Sequence, residues 1–169
     1  AILQGIVSEH DNVVISDNTL NASVSVSSNK GIIVRQAANA DNQVSDVTIE
    51  SNTIGGSAGF TSAIEAGTFD GDPVNNLTVS SNDITNASNE GILIEGDVDK
   101  VDIEDNTLTS ISDQGDGAIV LNPNNGPFTL VNVTGNTIQD SSGATGLNIL
   151  QASDKNVDLD VDGLSIDNV

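Results

Sequence analysis

"KVDIEDNTL" (residues 100–108) recurs along this chain with small changes: "NVVISDNTL" (12–20), "DVTIESNTI" (46–54), "NLTVSSNDI" (76–84) and "LVNVTGNTI" (130–138). Each copy alternates apolar and polar residues, reaches an asparagine, then resumes with one apolar residue. Alternation at a period of two marks a strand with one buried face. The aligned asparagines are Asn18, Asn52, Asn82, Asn106 and Asn136, at spacings of 34, 30, 24 and 30. A degenerate copy, "NVDLDVDGL" (156–164), aligns Asp162 with them. Self-similarity at such periods predicts a solenoid.

A second motif is interleaved with the first: "GIIVRQ" (31–36), "SAIEAG" (62–67), "GILIEG" (91–96), "GAIVLN" (117–122) and "GLNILQ" (146–151). Isoleucine and valine total 35 against 11 leucines, a composition that favours strands. No window carries a sustained helical spacing of apolar residues. Short strands joined by irregular loops, one set per period, describe a parallel β-helix of about six coils, with each strand paired to its equivalent about 4.8 Å away.

The "VxIxxNxI…GIxI" pattern closely resembles the right-handed parallel β-helix repeats of the pectate-lyase-like superfamily over nearly the whole chain. The predicted fold is therefore all-β, a single-stranded right-handed parallel β-helix forming one domain over residues 1–169. The repeats run to both ends of the sequence, so the reading also expects a segment of a longer solenoid, or ends that dock on a partner. Asn18, Asn52, Asn82, Asn106 and Asn136 are read as a structural ladder, each in a turn that favours left-handed backbone, with side-chain amides bonded along the stack. Like charges should avoid one another in stacked columns. Ser16, Glu50, Ser80, Glu104, Thr134 and Asp160 form one such column, and Asp17, Ser51, Ser81, Asp105, Gly135 and Val161 the next; neither sets acid on acid.

Twenty-five acids against four bases give a net charge of −21. That charge repels nucleic acid and anionic membranes, so neither is expected as a partner. Acids spread along the chain fit solubility in molar salt, where screening removes their repulsion. The expected location is a high-salt one: extracellular, on a cell surface or on a virion surface. Calcium held by aspartates is the competing account. Four N-glycosylation sequons begin at Asn21, Asn76, Asn86 and Asn132, the number that chance predicts, and say nothing about location.

Resemblance to the superfamily implies polysaccharide chemistry on the outer face of one parallel sheet. The single histidine, His10 in "SEHDN" (8–12), does not match the catalytic runs of polygalacturonases or alginate epimerases, and reads as a turn residue. Aligning the second motif stacks Arg35, Glu65 and Glu95 outward, a column able to serve a retaining glycosidase or a shared calcium, or simply a surface ion pair. Asp70 and Asp72 in "FDGDPVNN" (69–76) are the remaining calcium candidates. "DLDVDGLSID" (158–167) opens like a calcium loop, but Val169 stands where an acid is required, so it reads as a strand.

The same strands lack clean alternation, and an outward apolar stripe of Ile33, Leu93, Ile119 and Leu121 is expected. Its cover is either a loop of this chain or another subunit. The leading expectation is a non-catalytic structural or adhesive rod that self-associates, joins other domains of its parent protein or attaches to glycans, with no cofactor unless calcium. The other is a fragment of a carbohydrate-active enzyme or a glycan-binding module using Arg35, Glu65 and Glu95.

Overall fold

The computed structural model describes residues 3–6, 11–24, 29–35, 44–67, 74–96, 98–112, 116–123, 128–141, 143–150 and 157–168. These residues hold strands and turns and no helix. Three strands make one rung. The first rung is β1 (Leu3–Ile6), β2 (Asp11–Ser16) and β3 (Thr19–Asn21); the second is β4 (Lys30–Arg35), β5 (Val44–Glu50) and β6 (Thr53–Gly55). Next come β7 (Phe60–Gly67), β8 (Val74–Ser80) and β9 (Asp83–Thr85), then β10 (Ala87–Glu95), β11 (Val98–Glu104) and β12 (Thr107–Thr109). The fifth rung is β13 (Ile119–Asn122), β14 (Phe128–Thr134) and β15 (Thr137–Gln139); the sixth is β16 (Leu147–Ile149), β17 (Val157–Asp162) and β18 (Ser165–Asp167).

Equivalent strands pair in parallel, giving three six-stranded sheets: β1-β4-β7-β10-β13-β16, β2-β5-β8-β11-β14-β17 and β3-β6-β9-β12-β15-β18. The chain is thus a parallel β-solenoid, as the repeat predicts. Inside it, identical columns stack. Ile49, Val79, Ile103 and Val133 line the second sheet, and Ile54, Ile84, Leu108 and Ile138 the third, all fully buried. Each such side chain contributes about 1.5–3 kcal/mol by leaving water.

The asparagines form the ladder. Nδ2 of Asn18, Asn52, Asn82 and Asn106 donates to Oδ1 of the next asparagine at 2.9–3.0 Å. The backbone N–H of each donates to the same oxygen at 3.0 Å. Nδ2 also reaches a carbonyl of the preceding rung, such as Ile49 O from Asn82 at 2.9 Å. Asn52, Asn82, Asn106 and Asn136 are buried to 1 % exposure or less, so these bonds offset the cost of enclosing amides in an apolar core.

Two details differ from the sequence reading. The left-handed residue is not the asparagine but its predecessor: Asp17, Ser51, Ser81, Asp105, Gly135 and Gly163 have φ of 53–64°. Asparagine is required for its amide, and the turn conformation falls on the residue before it. In the sixth rung, Thr137 pairs with Ser165, which puts Leu164 rather than Asp162 opposite Asn136. The ladder therefore ends at Asn136. Asp158 and Asp160 lie exposed on strand β17, in agreement with the strand reading of that segment.

Candidate functional site

The outer face of the first sheet carries the candidate residues, and its register decides what they do. Ile33 pairs with Glu65, Glu65 with Leu93, Leu93 with Val120, and Val120 with Asn148. The neighbouring outward column runs Arg35, Gly67, Glu95 and Asn122. Arg35, Glu65 and Glu95 are therefore not one column: Glu65 sits two positions earlier along its strand. A slip of two keeps every side chain on its own face, so alternation alone cannot reveal it.

Glu65 nevertheless meets Arg35 on the diagonal. Its carboxylate pairs with the Arg35 guanidinium and the Lys30 ammonium, both from the rung before. The Glu65 side chain is 1 % exposed, whereas those of Lys30 and Arg35 are 24 % and 38 % exposed. Two cations that reach water thus hold one buried anion. Gly67 lies beside this cluster at φ +133°, and a Cβ there would sit 1.7 Å from the Glu95 carbonyl oxygen, so the backbone of the next rung leaves no room for a side chain at this position of the Arg35–Glu95 column.

The other carboxylates are also tied to neighbouring rungs. Glu95 Oε1 accepts from Asn122 Nδ2 at 3.1 Å. Buried Glu90 accepts from Ser62 Oγ at 2.8 Å. Burial pushes the Glu90 carboxyl above the usual carboxylate range; the Ser62 hydrogen bond opposes this, and the charges of Asp116 and Glu95 reinforce it. Lys30, Ser62, Glu90 and Asn122 escaped the sequence reading because only register brings them to this face. The one signal in the sequence was their position flanking the apolar runs of the second motif.

The apolar stripe needs correction. Ile33 and Leu93 do point outward and are partly exposed. Ile119 and Leu121 pair with Ile92 and Ile94 and are fully buried, so they belong to the core; Val120 takes the outward place. Matching Gly91 to Gly117 caused the one-residue slip. The true partner of Gly91 is Ala118, in a column of Gly31, Ala63, Gly91, Ala118 and Gly146. That column demands small residues: a Cβ on Gly91 would lie 2.4 Å from Leu108 Cδ2, and one on Gly146 2.4 Å from Ile166 Cδ1. Val120 is 1 % exposed within the single chain.

His10, Asp70 and Asp72 lie outside the described residues. Among the described residues, no three His, Cys, Asp or Glu side chains converge as metal ligands, and no helix is long and apolar enough to cross a membrane. Comparison with protein-family models, curated proteins and solved structures finds no match to this chain.

Proposed function

We propose that this chain is a non-catalytic β-solenoid rod, a structural or adhesive element of an extracellular or virion-surface protein adapted to high salt. The observation that carries the reading is how its carboxylates are used. Glu65, Glu90 and Glu95, the acids on the outer face of the first sheet, each bond to a residue of an adjacent rung. They act as ties between rungs. In this reading the remaining acids keep the rod hydrated and soluble in molar salt, and the solenoid is of the right-handed, pectate-lyase-like type. The partly exposed Ile33 and Leu93 supply a lateral contact for assembly or attachment.

One observation favours a second reading, a glycan-binding module related to carbohydrate-active enzymes. Asn122 Oδ1 is buried without a hydrogen-bond partner, next to Glu95. A sugar hydroxyl donating to that oxygen would satisfy it. Binding to a panel of neutral and acidic polysaccharides in molar KCl separates the two. The rod reading expects no product from any of them, and a lateral assembly lost in Leu93→Asp. Saturable binding lost in Asn122→Ala, or product formation lost in Glu95→Gln, would replace it with the second.

A further inference from the structure

Asn122 is the last residue of β13, and Pro123 follows it in a buried position. No other asparagine in the sequence precedes a proline. The preceding rung surrounds this peptide bond with suitable groups. Glu95, stacked on Asn122 in the register, accepts a hydrogen bond from its Nδ2 at 3.1 Å. The backbone N–H of Gly96 donates to the Asn122 carbonyl oxygen at 2.9 Å. Oδ1 of the Asn122 side chain is buried and has no partner. Ladder amides are held more fully: Oδ1 of Asn82 accepts from both the N–H and Nδ2 of Asn52, and its own Nδ2 donates to Ile49 O, Ser80 O and Asn106 Oδ1. The Asn122 amide is pinned at one end only.

We infer that Asn122 cuts its own peptide bond to Pro123. Nδ2 attacks the Asn122 carbonyl carbon, and the Glu95 carboxylate accepts the Nδ2 proton as general base. Negative charge develops on the carbonyl oxygen, which the Gly96 N–H already faces. The bond from that carbon to the Pro123 nitrogen then breaks, and Glu95 returns the proton to this nitrogen. The products are a cyclic imide at Asn122 and a free amine at Pro123. No atom is gained or lost until water opens the imide.

Proline also closes the competing route. Deamidation begins when the backbone nitrogen of the next residue gives up its hydrogen and attacks the side-chain amide, and a proline nitrogen carries no hydrogen. Asn76 and Asn132 supply the contrast. They too donate to carboxylates, those of Asp46 and Asp102, but Leu77 and Val133 follow them, so deamidation competes there. The cut falls between β13 and β14. Strands β14 and β15 stay paired with β11 and β12, so the two pieces remain together in the folded rod. It is a single event in the rod itself and does not depend on whether the rod binds glycans.

Mass spectrometry of the purified chain, kept folded over days in molar KCl and then denatured, tests the cut. The wild type is expected to yield two pieces with Pro123 at the new N-terminus, and before the imide opens their masses sum to that of the intact chain. Glu95→Gln keeps an acceptor for Nδ2 but loses the base. It should slow the cut at least about tenfold, since general-base catalysis contributes about 10²–10⁴-fold. Asn122→Gln would have to close a larger ring and should stop it. Circular dichroism checks that both variants remain β-folded. Unfolding the wild type in urea removes the contacts to Glu95 and Gly96 and should slow the cut as strongly; this arm needs no variant. A wild type that stays intact, an unchanged rate in Glu95→Gln or in urea, or a cut that persists in Asn122→Gln would each overturn the proposal.

Discussion

The second and first sheets of this solenoid are built from the same kind of strand, yet they expose their register very differently. In the second sheet, β5, β8, β11 and β14 share one burial pattern at their last four positions, buried and half-buried in alternation. A left-handed turn and a ladder asparagine follow at a fixed distance. Three independent requirements coincide, and only one register satisfies them. In the first sheet, β7 is buried almost throughout and β13 entirely, with polar Ser62, Glu65 and Asn122 buried alongside the apolar residues, so burial does not alternate and does not mark the phase. Register there is held by contacts with other strands, such as the small-residue column packed under Leu108 and Ile166. Alternation specifies pairing only where one face is wet.

Paired substitutions test this contrast. Ile119→Asp against Leu93→Asp is the sharpest pair, because unaligned inspection places both residues on the same stripe. Ile119→Asp buries a charge in the core and should cost more than about 4 kcal/mol in chemical denaturation or abolish folding. Leu93→Asp should stay within about 1 kcal/mol of wild type. Equal effects would mean that the first-sheet register is wrong.

The ladder comes next. Asn82→Ala removes three donor contacts and leaves the Asn52 amide facing a void, at a cost of about 3–5 kcal/mol. Asn18→Ala, at the half-buried first rung, should cost about 1 kcal/mol. Urea melts of both variants check the gradient along the stack. Glu65→Gln should cost about 1–3 kcal/mol, discounted because Lys30 and Arg35 reach water, and the loss should shrink in high salt.

The smallest effect belongs to Glu90. Its folded-state pKa lies above the ordinary value, so the folded chain holds that proton more tightly than the unfolded one. The stability it contributes is complete below the ordinary carboxylate range and is lost as pH rises through the raised value. Glu90→Gln should therefore flatten the stability profile across that window, measured as the difference from wild type between acidic and neutral pH. An unchanged profile would show that the Glu90 carboxyl is not desolvated in the folded chain.

How far the sequence carries can be followed residue by residue. Asn52, Asn82, Asn106 and Asn136 were visible as a repeat, and their role follows from their burial between alternating strands. Glu65 and Asp162 were misplaced by two positions, a slip to which a period of two is blind. Ile119 and Leu121 were misplaced by one, because Gly117 was matched to Gly91 although alanine serves the same small position at Ala118. Lys30, Ser62 and Asn122 could not be assigned, since each meets its partner across a rung whose offset varies from coil to coil.

By itself the sequence determined the architecture: an all-β solenoid of stacked rungs, the inward columns of its second and third sheets and its asparagine ladder. These are local properties, repeated until no other fold buries the same residues. Only the tertiary structure decided which side chains meet on the outer face of the first sheet. There the partners are set by loop lengths between rungs, and a change of one or two residues in a loop moves a carboxylate from beside another acid to between two cations.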